Sequence, residues 1–481
     1  MPPDILAAVS ARAAQTPAGG WVIGEGYDEH RLRELRAPTL AELDAVCPDQ
    51  PVLLIHFSYH EAVVNSRAHE VVKLPLVRPD PAGGEIERDR RGRTTGRMIE
   101  NAGAPFYVEA IRSELARDEG AYFEHLARYQ ERLFAAGITR VYDAAVSPMM
   151  QEMLARALDH GVLRLPVLMM LSSAAGMFLP PRDRLGARCG EGTEMLRTGP
   201  LKLFMDGGQR LALRLRLGVV AAATFSAFGR ALRRRSLRPL RAAGMMPMRL
   251  DLAGWCLRGG ILFYREEEAR ALVDAAVSRG MSVAVHAEGN VAIDRTLRVL
   301  PRSRADRAPG LGPHRIEHFF VAEPEAMERA AGLEVAVATQ PAILEWLGDQ
   351  IIEMGMAGRQ PFIPLRSMLD AGLIVAGSSD APVVDFAPLR GIRCAVQRRS
   401  ASGERVPDGQ GISVREALEM YTVHAARSGG FEREVGSLAP GKRADLVVLN
   451  ADPTALQPEQ LASLAVERTI CGGTDVFVRQ A

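Results

Sequence analysis

The apolar runs in the second half of the chain are short, nearly continuous and closed by small or polar residues, which is the pattern of parallel strands buried on both faces. Val283 to Val285 leads into His286, the stretch His314 to Phe320 contains His318, and Leu373 to Ala376 passes through small residues to Asp380. Segments of helical length lie between these runs, as in repeated βα units. The same pattern predicts strands at Ile138 to Tyr142, Leu163 to Leu171, Leu201 to Asp206 and Val335 to Pro341. Phe123 to Gly137 and Ser413 to Ala426 carry apolar residues at helical spacing. An α/β fold follows, with its chemistry expected where strand ends meet loops.

One histidine at a strand end would mean little, because a neutral imidazole is easily satisfied by a backbone carbonyl. Two histidines and an aspartate, each at the end of an apolar strand, form a metal-ligand set suited to zinc or another borderline divalent ion. Lys202 stands inside the apolar strand Leu201 to Asp206. Desolvation lowers the pKa of such a lysine, which makes it either a ligand or the partner of a carboxylate such as Asp206. Arg164 reads as solvated, and Asp143 as a residue that orients its neighbours.

The 481 residues suit a large α/β barrel with a small appendage. A net charge of +1 argues against nucleic acid as a partner. The five cysteines lie far apart with no CxxC pair, which fits a reducing, cytoplasmic setting rather than a disulfide framework. The amino terminus lacks the pattern of a signal peptide, and no apolar run reaches the roughly 18 residues of a membrane span. Between residues 209 and 260 lies a stretch rich in arginine, among them Arg210, Arg214, Arg230, Arg233, Arg234, Arg235, Arg238 and Arg241. Its apolar part, Leu217 to Phe228, has helical spacing. As an insertion leaving the C-terminal end of a strand, it is expected to lie over a barrel mouth as a lid.

HAEGN at His286, RIEH at His318, GSSDAP at Asp380 and LKLFMDG from Leu201 to Gly207 together resemble the amidohydrolase superfamily of metal-dependent hydrolases, in particular its branch of N-acyl and formamide hydrolases. The likeness covers most of the chain. It implies a (β/α)8, TIM-barrel-like fold and cleavage of an amide or formamide bond in a small-molecule substrate by water activated at a divalent metal, zinc foremost. It further implies that Lys202, carboxylated in many relatives, holds one ion with His286 and His318. A second ion would be held by Asp380 and a His-x-His pair on the first strand, and Asp380 would be the general base.

None of the ten histidines forms a His-x-His pair. Trp21 to Tyr27 and Pro38 to Asp44 resemble family segments that follow that pair, so the expectation is a barrel lacking its first strand, binding at most one ion tightly and hydrolysing amides slowly. Pro51 to Ser66 resembles the part that closes over substrate, which makes His60 a substrate-binding candidate and His56 a weak one. Their spacing would place both on one face of a helix or a strand. Asp80 to Glu100 resembles a surface hairpin of the family. The tail, Val435 to Asn450 with Glu467 to Val478, resembles part of a small β-sandwich, and His424 before it reads as structural. The expected division is a barrel over 1–430, with the basic insertion at 209–260, and a partial sandwich over 431–481. A non-catalytic barrel, a deaminase and an esterase are the competing functional readings, and assembly into a homo-oligomer is left open.

Overall fold

The computed structural model describes residues 3–480 except 30, 33, 174–185, 187, 237–238, 240–247 and 304–310, and it divides into two compact units. Arg238 and Arg241 of the basic insertion lie outside the described residues.

The first unit contains Met1–His125 with Gly207–Arg210. Its sheet is built from β1 (Val22–Tyr27), β2 (Val52–His56), β3 (Glu61–Val64), β4 (Gly84–Arg88) and β5 (Thr94–Glu100), in the order β1-β2-β3-β5-β4. Strand β2 runs parallel to β1 and antiparallel to β3, and β4–β5 is the hairpin expected over Asp80 to Glu100. Both faces are covered. Leu53 and Ile55 pack with Met98 and Phe106, while Val52 and Leu54 pack with Leu6, Val9 and Leu43. Two-sided burial is why β2 reads as an unbroken apolar run.

His56 closes β2 and His60 precedes β3, so their spacing straddles a turn instead of marking one face of an element. Arg97 on β5 joins Glu29 at 2.6 Å and Glu61 at 2.7 Å, and His56 Nε2 lies 3.2 Å from Glu29. Asp28, Glu29 and His56 bring ligand-type atoms together here, but the guanidinium already neutralises Glu29. Burial pushes the Glu29 carboxyl up, and His56 followed by Arg97 outweighs it, holding the group at about 2 against an ordinary 4.5. A depressed carboxylate contributes stability that is present above pH 4.5 and is lost as pH falls toward 2. At about 1.4 kcal/mol per unit, that is at most about 3 kcal/mol. Glu29→Gln is therefore expected to flatten the acid limb of the stability curve, measured as the loss of Tm between pH 6 and pH 3.

The second unit comprises Leu126–Ala174, Arg182–Asp206 and Leu211–Ala481. Its principal strands begin with β6 (Val141–Val146), β7 (Val167–Ser172) and β8 (Leu196–Phe204). The insertion follows as β9 (Leu213–Arg216), the helix Leu217–Arg234, β10 (Met248–Asp251) and β11 (Cys256–Gly259), its strands forming an antiparallel sheet in the order β10-β11-β9. Then come β12 (Val283–Ala287), β13 (Arg315–His318), β14 (Ala336–Thr339) and β15 (Ile374–Gly377).

Strands β6, β7, β8, β12, β13, β14 and β15 form one seven-stranded sheet in chain order, with every pair parallel. Helices separate most successive strands. This is the expected βα-barrel architecture, and among the described residues no eighth strand joins the sheet. The tail adds β16 (Leu446–Leu449), β17 (Val466–Cys471) and β18 (Thr474–Val478), an antiparallel sheet in that order.

Strand limits depart from the apolar runs for local reasons. Leu163 to Leu171 becomes strand only from Val167, because the backbone N–H groups of Arg164 and Leu165 both donate to Gln130 Oε1. The β6–β7 register shifts between Asp143 and Val146, where Ala145 has a φ of 64°. The first 125 residues have their own sheet and two-sided core, and the tail belongs to the unit that holds the parallel sheet.

Candidate metal centre

Strand register decides which side chains meet. Lys202 on β8 is in register with Ala284 on β12, and Ala284 with Arg315 on β13; two residues further along, Phe204 matches His286 and His286 matches Glu317. Residues in register share a face in a parallel sheet, as do residues two apart on one strand. Lys202, His286, Arg315 and Glu317 therefore belong to one face, with small Ala284 leaving room between two long side chains.

Alternation would send His318 to the opposite face. Its φ of 75°, followed by 55° at Phe319, ends the pleat at that point. The His318 ring then lies 4.4 Å from that of His286, tilted by 67°. Left-handed backbone at residues other than glycine costs about 1–3 kcal/mol and gathers at functional sites.

The turn after β12 is held by Asp206, whose carboxylate accepts N–H bonds from Ala212 (2.9 Å), Glu288 (3.0 Å) and Gly289 (3.0 Å). Asp206 thus ties the turn after β12 to the start of the insertion through the backbone. A Cβ at Gly289 would stand 2.2 Å from the Ala212 carbonyl oxygen, so only glycine lets the two chains approach. Asn290 Nδ2 donates to the Arg214 carbonyl at 2.8 Å, and the Arg214 N–H donates to Asn290 Oδ1 at 2.9 Å. These bonds join the first strand of the insertion to the loop that follows His286.

Glu288 in that turn was missed by sequence reasoning. Its Oε1 lies 3.9 Å from His286 Nε2 and 3.8 Å from His318 Nδ1, while Asp206 Oδ1 lies 3.7 Å from His286 Nε2. His286, Glu288 and His318 are all buried, and one ligand atom from each lies within 4.8 Å of the other two. The 3.9 Å between His286 Nε2 and Glu288 Oε1 exceeds hydrogen-bond reach and is close to the ~3.4 Å edge of a tetrahedron with bonds of about 2.1 Å. Two imidazoles and a carboxylate also match the donor chemistry of a divalent transition ion, so the residues fit a metal.

Gln340, beyond β14, was likewise missed. Its Nε2 donates to Ser378 Oγ at 2.7 Å and its Oε1 faces His318 Nδ1 at 2.9 Å. In that arrangement Nδ1 carries the proton and Nε2 offers its lone pair, the usual orientation of a ligating histidine. Burial, first among several influences, lowers the His318 pKa and favours the neutral ring that binds metal. Gln340→Leu is expected to weaken metal binding by about 10–100-fold, the ordinary cost of removing such a support. Equilibrium dialysis against buffered zinc measures it.

Lys202 is buried, and burial pulls its pKa down to about 8 against the opposing charges of Glu317 and Asp380. Its ammonium lies 4.8 Å above the Phe204 ring. Glu317 is clamped by Arg315 through contacts of 2.8 and 2.9 Å, which overcomes its burial and keeps it ionised. Asp380 stands just beyond β15 with a φ of 55° and is exposed. Its charge acts on both Lys202 and His318, but the compact ligand cluster comprises His286, Glu288 and His318 without it. His60 lies in the first unit, with Nδ1 2.7 Å from Glu100 Oε2 and 3.0 Å from the Gly208 backbone nitrogen. His424 Nδ1 lies 3.1 Å from the Val375 carbonyl oxygen.

The imidazoles and carboxylates stand at the C-terminal strand ends of a parallel sheet of βα units, where βα barrels carry their active sites. The model of the amidohydrolase family matches residues 2–477. The chain is 30% identical over 481 residues to the N-substituted formamide deformylase of Arthrobacter pascens, an alignment that covers 98% of this chain and 81% of that protein. It is 26% identical over 214 residues to the imidazolonepropionase of Porphyromonas gingivalis, covering 44% of each. Among solved structures, an uncharacterised metal-dependent hydrolase of Pyrococcus horikoshii shares the fold with a TM-score of 0.64 and 22% identity, over 94% of this chain and 81% of that one. The chain belongs to the amidohydrolase family. It is a hydrolase acting on carbon–nitrogen bonds other than peptide bonds.

Proposed function

We propose that the substrate is an N-substituted formamide or a closely related N-acyl amine, cleaved to the carboxylic acid and the free amine. The observation that carries this reading is the meeting of His286 and His318 at adjacent strand ends, joined to similarity with a formamide deformylase over 98% of this chain. His286, His318 and Lys202 would hold a divalent ion, with Asp380 facing it, and zinc suits two imidazoles best. A carboxylated Lys202 would supply an oxygen donor where a bare ammonium supplies none.

The chemistry such an ion supplies when bound is polarisation of the scissile carbonyl and a lowered pKa for water. Asp380 accepts a proton from the attacking water at its carboxylate and delivers it to the leaving nitrogen. Gln340 fixes the His318 ring, and the Arg315 clamp keeps Glu317 ionised beside Lys202. The insertion, tied to the His286 loop through Asn290, acts as a lid over the substrate. Five free cysteines, and the absence among the described residues of a helix long and apolar enough to cross a membrane, are compatible with the cytoplasm as the place of action.

A panel of N-substituted formamides, longer N-acyl amines, a carboxylic ester and an aromatic amidine, incubated with zinc-loaded protein, tests the assignment. Formate and amine released in equal amounts, faster than any other product, is the expected result. Preferential ester cleavage or ammonia release would overturn it. Intact-mass analysis under carbon dioxide, expected to show one added carbon dioxide that is lost in Lys202→Met, tests the modified lysine.

A further inference from the structure

We propose that the outer face of the insertion is a docking surface for anionic lipid, on which the helix Leu217–Arg234 lies in the plane of the bilayer surface. The inference concerns a surface outside the metal centre and holds whichever bond that centre cleaves.

The two sides of this helix differ in what covers them. Ala223, Ala227 and Ala231 are buried at four-residue spacing. A Cβ at Gly355 would stand 2.4 Å from the Ala223 carbonyl oxygen, so small residues seat this side closely on the unit that holds the parallel sheet. Arg230 reaches Glu404 at 3.5 Å and Arg234 reaches Glu353 at 3.4 Å, which fixes the helix along the same side. Phe225, Phe228 and Leu232 recur at the spacing of one helix face, yet they are 77%, 52% and 65% exposed. A helix that served only to cover the sheet would turn such a stripe inward. Trp255, whose carbonyl accepts the Leu217 N–H at 3.1 Å, adds an aromatic ring at the start of the helix and is 73% exposed.

Charge decides what fits this face. Residues 209–260 hold eleven arginines against one acidic residue, Asp251, in a chain whose net charge is only +1. Arg216, Arg233, Arg235 and Arg249 are exposed. A second copy docking through the same face would set one basic surface against another, because a two-fold contact is self-complementary and like charges oppose it. Anionic headgroups supply the opposite charge, and the acyl boundary beneath them takes up phenylalanine and leucine side chains. That division is the one found in helices lying in a membrane interface. The helix has 18 residues, and no helix among the described residues is long and apolar enough to cross a membrane, which leaves the in-plane orientation. Asn290 joins the insertion to the loop after His286, so docking would hold that loop near the lipid surface.

Vesicle flotation with the full chain tests the proposal, using phosphatidylcholine alone and phosphatidylcholine mixed with phosphatidylglycerol. Binding to the mixed vesicles at least about tenfold stronger than to the neutral ones, and weakened by added salt, is the expected result. Phe225→Ser combined with Phe228→Ser should lower binding to the mixed vesicles at least about tenfold, with the circular dichroism spectrum unchanged because the packed alanine side is untouched. Arg233→Glu combined with Arg235→Glu should also lower it and should shrink the salt dependence. No binding to mixed vesicles, equal binding to both compositions, or binding that survives loss of both phenylalanines would overturn the proposal. A dimer in sedimentation that the phenylalanine substitutions abolish, without any vesicle binding, would overturn it too and give the face to a second copy of the chain.

Discussion

His286→Ala is expected to leave the protein folded but with its bound metal reduced to a trace and hydrolysis with it. His286 is almost fully buried, and its ring lies 4.4 Å from that of His318. Removing supports of ligating residues already costs about 10–100-fold in affinity, so loss of a ligand should exceed about 100-fold. The cavity left by one imidazole should lower stability by about 1–3 kcal/mol, within the range of ordinary core substitutions. Metal analysis of the dialysed variant beside its thermal transition separates the two effects. Normal metal content in a variant that has merely lost stability would mark His286 as a core histidine.

Asp380→Asn should give the opposite signature: metal largely retained and turnover lost. The substitution keeps the shape and removes the proton acceptor. Positioned acid–base groups contribute about 10²–10⁴-fold, so kcat should fall by that order while KM changes little. Asp380 is exposed, and surface substitutions generally stay within about 0.5 kcal/mol in stability. An equal fall in metal content and kcat would instead make Asp380 a principal ligand. Unchanged kcat would remove it from the chemistry.

Much of the second unit was legible in the sequence because its strands are buried on both faces. Apolar runs ending in His286, His318 and Asp380 marked strands of the parallel sheet. Lys202 stood out for being charged within such a run. Glu288 and Gln340 were not legible. A glutamate in a glycine turn has the appearance of a solvated residue, and only the Asp206 bonds that hold that turn bring it between two imidazoles. Gln340 gains its role from the positive φ of His318, which no hydrophobic pattern records.

The first unit misled for a related reason. Val52 to His56 has the unbroken apolar character of a barrel strand, yet it belongs to a mixed sheet covered on both sides by its own helices. His56 and His60 have the spacing of neighbours on one helix face. In the fold they flank a hairpin turn and face Glu29 and Glu100 respectively.

The proposed hydrolysis of formamide-type bonds depends on a metal held at the ends of β12 and β13. The most direct test removes metal with a chelator, returns zinc in steps, and follows bound zinc and formate release together on one preparation. Hydrolysis that vanishes on stripping and returns in proportion to zinc bound, in wild type but not in His286→Ala, is the predicted result. Formate release that persists in metal-free protein, or that returns equally in His286→Ala, would contradict it.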